Sequence, residues 1–272
     1  MTLYAISQAP DLEQVENFLR TDQNYAAYAL GDLDPRYIDD TLWVAASRSG
    51  EIEGLALLFD IGVPPVLFMM GDQPALNALL MHGIGPEKIF FSLPTDAEKS
   101  LRDLYRMDYF ALMSRMRVAS AIFTPLEKSD NAPPLIPLTS EKDANDIGKL
   151  LRIAAEADGR DPDDIAFAAS MIKGGHYFGI REKETLIATA GTHIVAKTKS
   201  VAAIGNVVTH PDHRRKGLGT IVTEATTKSI LDAGYRLVVL NVRQDNGPAI
   251  KIYKKLGYKK TNSFLEGTAY RR

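Results

Sequence analysis

The fold of this chain is decided by the stretch Asn206-Val-Val-Thr-His-Pro-Asp-His-Arg-Arg-Lys-Gly-Leu-Gly-Thr220. An apolar run ends at Pro211, a short basic loop with two glycines follows, and apolar residues then recur at helical spacing between residues 221 and 231. This pattern predicts a strand, a loop and a helix. The loop would present backbone N–H groups at the positive end of the helix dipole, where glycines allow a phosphate to approach closely. The stretch therefore predicts an anion site.

The spacing of the basic residues and glycines in this loop points to a family. Arg214-x-x-Gly217-x-Gly219, directly after a Val-x-x-Pro strand end, resembles motif A of the GNAT (GCN5-related) N-acetyltransferases. In that family the loop binds the pyrophosphate of acetyl-coenzyme A. A dinucleotide-binding fingerprint would need a third glycine where Val222 stands, and a Walker loop needs a lysine directly after a glycine, whereas Lys216 precedes one. A solvated basic turn is the alternative for the loop taken alone.

A second segment strengthens the resemblance. Residues 236–242 are rich in β-branched and aliphatic side chains and predict a buried strand. The pattern that follows, Asn246-x-x-Ala-x-x-x-Tyr-x-x-x-Gly-Tyr258, resembles motif B of the same family. Its asparagine suits a helix N-cap and its glycine suits the end of that helix. The resemblance covers residues 134–272 and implies an α/β (α+β) fold, with a mixed, mostly antiparallel sheet flanked by helices.

The resemblance also implies which residues bind the coenzyme and which act in catalysis. Acetyl-coenzyme A is the expected co-substrate, and no metal is expected. Tyr253 matches the family's general acid and would protonate the leaving thiolate, with a core aromatic residue as the alternative role. The strand before motif A would pair with the pantetheine, and the backbone N–H near Val208 would polarise the thioester oxygen. The residues expected to bind the coenzyme are Val207, Val208, Thr209, Arg214, Arg215, Lys216, Gly217, Leu218, Gly219, Thr220 and Asn246.

The general base is not identified by the sequence. Family members often carry a glutamate on the strand before motif A or on the strand after it, and the matching positions here hold Ala203 and Asn241. Neither side chain can take up a proton. Water could relay the proton, the acceptor amine could have a low pKa, or another residue could serve. The other candidates are His176, His193, Glu156 and Asp158, whereas His210 and His213 are expected at the surface of motif A.

Composition limits the class of protein. The chain has 272 residues, a formal net charge of −2 and 45% hydrophobic residues, which suits a packed core and gives no sign of a nucleic-acid or anionic-membrane surface. It has no cysteine, which excludes disulfides and a cysteine nucleophile. The first residues lack the features of a secretory leader, and no apolar run reaches the roughly 20 residues of a membrane span. A cytoplasmic location is therefore expected.

A polar segment with three prolines, residues 123–134, shows no apolar periodicity and predicts a linker. We place a first domain at residues 1–124, the linker at 125–134 and an acetyltransferase domain at 135–272. The elements predicted for the second domain are a strand at 135–138, a helix opening at 139–143, a helix at 163–172, strands at 176–182, 185–196 and 200–209, the motif A helix, a strand at 237–242, the motif B helix and one or two strands within 258–270.

The first domain repeats part of this order, and residues 42–47 and 52–60 predict a hairpin. Its counterpart of motif A, residues 66–75, has one glycine and no basic residue, and Asp72 would repel a phosphate. Ala97 and Leu104 stand in place of the motif B asparagine and tyrosine. We therefore expect two tandem GNAT-like domains, of which the first is degenerate and has lost coenzyme binding. Convergent patterning without duplication is the alternative.

The resemblance implies direct transfer of an acetyl, or other short acyl, group from coenzyme A to a primary amine. The acceptor would be a small molecule, an amino acid or a peptide, with no nucleic-acid or membrane partner, and the oligomeric state is left open. One alternative is a non-catalytic acyl-CoA-binding or sensor protein with a regulatory N-terminal domain, which the intact Tyr253 disfavours. Another is an interaction scaffold with a vestigial site, which the complete loop from Arg214 to Thr220 disfavours.

Overall fold

The computed structural model of the chain describes residues 4–60, 64–127, 132–162 and 167–272. Within these ranges the strands are β1 Ala5–Ser7, β2 Thr41–Arg48, β3 Glu51–Phe59, β4 Val66–Gly71, β5 Lys88–Leu93, β6 Tyr105–Val118, β7 Leu135–Pro137, β8 Phe178–Glu182, β9 Thr185–Ala196, β10 Val201–Thr209, β11 Leu237–Arg243 and β12 Lys259–Arg271. The α-helices are α1 Leu12–Arg20, α2 Ala27–Asp32, α3 Gln73–Met81, α4 Glu98–Leu104, α5 Glu141–Ala157, α6 Leu218–Asp232 and α7 Gly247–Lys255. Among the described helices, none combines the length and apolar character needed to cross a bilayer.

The chain divides into two compact units. Unit 1 comprises Met1–Arg115, Val242–Asp245 and Thr261–Arg272, and unit 2 comprises Met116–Asn241 and Asn246–Lys260. The end of the chain, which the sequence analysis assigns to the second domain, thus lies in unit 1. Part of the predicted linker, residues 128–131, falls outside the described residues. The sequence boundaries of the two domains stay a prediction.

The sheet of unit 1 has the strand order β1-β2-β3-β4-β5-β12-β6. Strands β1 to β4 pair antiparallel, and β4 then pairs parallel with β5. Strand β12 runs antiparallel to β5, with Leu265 opposite Leu93 and Tyr270 opposite Lys88. Apolar residues of these strands and of α3 form one buried core cluster, which includes Leu265 and Ala269 of β12. The last strand of the chain therefore supplies an interior strand of this sheet.

Unit 2 repeats the same arrangement with five strands in the order β11-β10-β9-β8-β7. All of these pairs are antiparallel except β10 with β11, which is parallel as β4 with β5 is in unit 1. One core cluster joins α5 to the sheet and contains Val208, and another joins α6 to the sheet and contains Val207. Because neighbouring residues of a strand face opposite sides, α5 and α6 cover the two faces. The predicted fold class is confirmed.

The predicted elements of unit 2 agree with the structure except at the second helix. The strand predicted at 185–196 is β9, and β10 and β11 differ from prediction by one residue at one end. Of the helix predicted at 163–172, residues 163–166 lie outside the described residues, and Ala169–Ile172 form a single 3₁₀ turn. Ala168 and Lys173 on either side are extended, and Gly174 has a φ of 79°. This backbone interrupts any α-helix on both sides of the turn.

Replacement of Phe264 tests the role of β12 in unit 1. Its buried ring lies 5.9 Å from the Tyr25 ring, and the Arg115 guanidinium lies 5.1 Å from its centroid. We expect Phe264→Ala to lower the free energy of unfolding by about 3–5 kcal/mol, because removal of a large buried ring leaves a cavity. The fluorescence of Trp43, the only tryptophan and a buried residue of β2, reports the change in a urea titration.

The matched control is Tyr270→Ala on the same strand. Tyr270 is only half-buried, so its loss should move the Trp43 transition much less. An unchanged transition in Phe264→Ala would contradict the placement of β12 inside unit 1.

Candidate active site

Strand β10 separates from its parallel neighbour before it ends. The pairing of β10 with β11 extends to Ile204 and Leu240. Beyond that point, Gly205, Val208 and Thr209 still pair with β9 on the other side. Residues 205–209 are half-exposed, whereas residues 201–204 are buried. The predicted pantetheine-binding residues lie in this segment, which is referred to as the open segment of β10. The edge of the open segment on the side of β11 is no longer paired with that strand, so its main-chain groups need another partner.

A β-bulge changes the direction of the side chains in the open segment. The register of β10 against β9 shifts between Gly205 and Val208, and Asn206 has a left-handed backbone with a φ of 51°. Val207 then packs toward α6 and Val208 toward α5. Because both side chains are engaged in packing, what these residues offer to a ligand is their main chain.

A polar cluster of Tyr177, His193 and Asn206 lies at this bulge and is named the bulge cluster. The Asn206 Nδ2 donates to the Tyr177 hydroxyl at 3.2 Å, and that hydroxyl donates to the Thr192 carbonyl at 2.6 Å. Asn206 also forms a hydrogen bond with the His193 ring. Burial lowers the pKa of His193 below its ordinary value, and the bond with Asn206 opposes that shift only in part.

Two glycines provide the space for the bulge cluster. A Cβ on Gly191 would lie 2.0 Å from the Tyr177 ring, and a Cβ on Gly205 would lie 2.2 Å from the His193 ring. Gly191 and Gly205 are partners across β9 and β10, so the two rings lie on the same face of the sheet. This cluster was not predicted from the sequence. A glycine on each of two neighbouring strands was the signal that could have revealed it.

The loop after β10 leads into a helix N-terminus without a side-chain cap. Gly217, directly before α6, has a φ of 80°, and as the N-cap residue it makes no side-chain hydrogen bond to the first N–H groups of α6. Arg215 and Lys216 are exposed on the loop. A Cβ on Gly217 would meet nothing within 4 Å, so there is open space beside it. The loop therefore combines the donors and positive charge of an anion site, and the binding of a phosphate there stays a prediction.

The Arg214 side chain is directed to the protein surface beside the loop. Its guanidinium donates to both carboxylate oxygens of Asp158, at 2.8 and 3.2 Å, and its Nε donates to the Thr209 carbonyl at 3.4 Å. An exposed pair of this kind contributes about 1 kcal/mol or less to stability. Its role is geometric, because it ties the end of α5 to the loop. Arg215 and Lys216 remain as the exposed cations of the candidate site.

Helix α7 carries the two residues predicted from motif B. The Asn246 Oδ1 accepts a hydrogen bond from the Ala249 N–H at 3.1 Å and caps α7. Tyr253 is buried with its ring 5.9 Å from that of Tyr258, and burial raises the pKa of Tyr253 to about 12. Ile252 Cδ1 lies 3.4 Å from the position of a Cβ on Gly219. The residue before Tyr253 thus contacts the first turn of α6.

The other candidates for the general base are engaged or far from the open segment. The His176 Nδ1 hydrogen-bonds with the Ser229 Oγ at 2.8 Å. Ser229 lies eleven residues after the first residue of α6, or about 16 Å along the helix axis. Asp158 is bonded to Arg214, and Glu156 is exposed on α5. His210 and His213 lie at the surface of the loop and are partly exposed.

Unit 1 fills the corresponding place with its own side chains. The Asp72 carboxylate accepts a hydrogen bond from the Ala75 N–H at 2.9 Å and caps α3. The Tyr25 hydroxyl donates to the Met69 carbonyl at 2.9 Å, just beyond the last parallel pair of β4 with β5. A carboxylate and a phenol thus occupy the positions that correspond to the loop and open segment of unit 2.

Comparison with known proteins agrees with this geometry. Residues 145–258 match the model of the acetyltransferase (GNAT) family. A mycothiol acetyltransferase from Nocardioides sp. (strain ATCC BAA-499 / JS614) is 26% identical over 210 residues, which cover 72% of this chain and 66% of that protein. A mycothiol acetyltransferase from Corynebacterium jeikeium (strain K411) is 28% identical over 121 residues, which cover 43% and 31%. The chain therefore spans less than two thirds of the length of each relative.

The fold is also found in a solved tandem protein. The tandem GNAT protein from the clavulanic acid biosynthesis pathway superposes with a TM-score of 0.58 at 16% identity, over 98% of both chains. A likeness at this identity shows the fold alone. It confirms the prediction that this chain carries two GNAT-like domains in tandem.

Substitutions at Asn206 test the left-handed bulge. A φ of 51° is tolerated by asparagine and glycine but is strained for a β-branched residue. Both Asn206→Val and Asn206→Gly lose the side-chain hydrogen bonds, and only the valine variant is strained. We expect Asn206→Val to unfold with a free energy about 1–3 kcal/mol below that of Asn206→Gly. Urea unfolding followed by circular dichroism measures the difference, and equal stabilities would argue against the bulge.

Proposed function

Because residues 145–258 match the model of the GNAT acetyltransferase family, we propose that this chain is an acyl-CoA-dependent N-acetyltransferase. It transfers an acetyl, or other short acyl, group from coenzyme A directly to a primary amine. The acceptor is a small molecule, an amino acid or a peptide end. Two similar proteins are named mycothiol acetyltransferases, so amines related to mycothiol belong in the first panel of acceptors.

The end of β10 is the observation that carries this proposal. An open strand edge leads into a loop with two exposed cations and then into a helix whose N-cap residue is the glycine Gly217. Coenzyme A presents amide groups along its pantetheine arm and negative charge at its pyrophosphate, so it complements both features. In unit 1, Asp72 and Tyr25 take the equivalent positions, which supports one coenzyme per chain.

We assign the coenzyme contacts mainly to the main chain. Val207, Val208 and Thr209 would pair with the pantetheine through their backbone groups. The Thr220 N–H is already bonded to the Gly217 carbonyl at 3.0 Å. The first N–H groups of α6, which belong to Leu218 and Gly219, are therefore the donors best placed for the pyrophosphate. Arg215 and Lys216 are assigned as the cations that contact the pyrophosphate. Arg214 positions the loop, and Asn246 positions α7.

Tyr253 is the proposed proton donor to the leaving thiolate. Its pKa of about 12 keeps the phenol protonated at neutral pH. A thiol has an ordinary pKa near 8.5, so complete transfer from this phenol is uphill by roughly 3.5 units, or about 5 kcal/mol. The transfer therefore has to be coupled to the return of a proton from the nitrogen of the tetrahedral intermediate. The C–N bond forms, the C–S bond breaks, and the phenol is regenerated.

We expect Gly219→Glu to abolish binding of acetyl-coenzyme A. A Cβ on this residue lies 3.4 Å from the Ile252 Cδ1 and the Thr209 Oγ1, and the rest of a glutamate adds bulk and negative charge at the helix N-terminus. Calorimetric titration should give one equivalent of coenzyme for the wild-type chain and no saturable heat for the variant.

Asn145→Glu is the control for this experiment, because it adds the same charge at an exposed position of α5. It should bind the coenzyme like the wild type. Unchanged affinity in Gly219→Glu would overturn the site, and saturation at two equivalents would overturn the loss of binding in unit 1.

Replacement of Tyr253 tests the chemistry. Tyr253→Phe keeps the buried ring and removes the proton, so kcat should fall by about 10²–10⁴-fold with little change in coenzyme affinity. Thiol release with a panel of primary amines measures kcat. The control is Tyr258→Phe, a neighbouring buried tyrosine whose hydroxyl contacts Thr227, and it should retain wild-type kcat.

Two results would count against these assignments. Wild-type kcat in Tyr253→Phe, measured where chemistry limits the rate, would show that Tyr253 is structural. Coenzyme binding without thiol release from any amine would contradict the enzyme and favour a coenzyme-binding protein.

A further inference from the structure

The side chain of Arg115, on β6 of unit 1, is buried with few hydrogen-bond partners. Arg115 is only 1% exposed, and it is the largest of the fully buried side chains in the described part of the chain. Its Nη2 donates to the Tyr25 carbonyl at 2.9 Å. The Nε and Nη1 atoms are also buried, and neither has a hydrogen-bond partner. A guanidinium has five N–H groups, one on Nε and two on Nη1, so three of the five lack an acceptor.

The surroundings of this guanidinium compensate its charge only in part. Its central carbon lies 4.7 Å from the centroid of the Tyr28 ring and 5.1 Å from that of Phe264. Cation–π contacts of this kind offset some of the cost of removing a cation from water, and hydrogen bonds to an anion normally offset the rest. Burial lowers the pKa of Arg115, and the nearby charges of Glu266 and Asp22 oppose this shift without cancelling it. The cation therefore lacks a bound acceptor.

An acceptor without a partner lies on the neighbouring strand. Strand β12 is next to β6 in the sheet, and the Thr261 Oγ1 donates to the Arg115 carbonyl at 3.3 Å. The following residue, Asn262, shares a face of β12 with Phe264 two residues further on. The Asn262 Nδ2 donates to the Asp22 Oδ2 at 2.8 Å, whereas its Oδ1 is buried and has no hydrogen-bond partner. One face of unit 1 therefore presents unsatisfied donors and an unsatisfied acceptor on adjacent strands.

The place of these groups in the fold gives a ligand a way in. Tyr25, which accepts from Arg115, also donates to the Met69 carbonyl just beyond the last parallel pair of β4 with β5. The guanidinium thus lies beside the point where these two strands separate. Two residues around it reach the surface, because Tyr28 and Asn262 are half-exposed. The Tyr28 ring lies against the guanidinium, so rotation of this one side chain would uncover the cation. Partly exposed side chains change rotamer on a fast timescale.

We propose that unit 1 binds a free α-amino acid at Arg115 and Asn262. The carboxylate of the amino acid accepts hydrogen bonds from the guanidinium, and its ammonium group donates to the Asn262 Oδ1. The ring of Tyr28 turns outward as the ligand enters. The charges of Asp22 and Glu266 near the cation favour a ligand that carries a positive group beside its carboxylate over a plain anion. This site does not depend on the acetyl transfer proposed for unit 2.

Calorimetric titration of the full chain with each of the common L-amino acids tests the site. At least one should bind saturably, and its analogues without the amino group or without the carboxylate should bind at least about 30-fold more weakly. Arg115→Met should weaken binding of the amino acid by at least the same factor. The urea midpoint of Trp43 fluorescence should stay unchanged or rise in this variant, because a hydrophobic side chain of similar size then replaces a buried charge that lacks an acceptor.

The control is Arg243→Met, which removes another arginine of unit 1, one that pairs with the exposed Asp245. It should bind the amino acid like the wild type. If Arg115→Met shows no cooperative transition, Asn262→Ala decides, because it should weaken the amino acid and leave the analogue without the amino group unchanged.

Three results would overturn the site. They are a wild-type chain that binds no amino acid, undiminished binding in a folded Arg115→Met or in Asn262→Ala, and equally tight binding of either analogue. A lower Trp43 midpoint with intact binding would make Arg115 purely structural. The absence of thiol release with any amine would contradict the proposed function alone, because this titration measures binding and not turnover.

Discussion

Two parallel strands that diverge leave main-chain N–H and C=O groups without partners, and a buried group of this kind costs about 1–3 kcal/mol if nothing satisfies it. Both units are built around this constraint. In unit 1, Tyr25 satisfies a carbonyl at the end of β4 and Asp72 caps the next helix. In unit 2, the N-cap of the corresponding helix α6 is Gly217, which makes no side-chain hydrogen bond. The two units therefore share a fold but differ in the side chains that satisfy these main-chain groups.

Burial shifts the pKa values of two titratable side chains of unit 2 in opposite directions. It raises the pKa of Tyr253 to about 12 and lowers that of His193. Both shifts favour the neutral form of the side chain, because burial penalises charge of either sign.

The sequence predicted those parts of the site whose residue types are required by local geometry. Gly217 has a positive φ and Asn246 caps a helix, so each residue type is recognisable within a short sequence motif. The bulge cluster could not be predicted, because its members come from distant segments and meet only through a shifted register of β9 and β10. The same holds for the pairing of Arg214 with Asp158. The alternation of apolar and polar residues along β12 predicts a strand, but it does not reveal which unit that strand joins.

The position of β12 has a consequence for the synthesis of the protein. The hydrogen bond between Asn262 and Asp22 joins residues 240 positions apart, and β5 has no partner on one side until β12 is present. Contacts so distant in sequence form slowly. On the ribosome, unit 1 begins to emerge first but cannot be completed until the last residues have left the exit tunnel. Until then, β5 presents an unpaired edge, and an edge of this kind can pair with other chains.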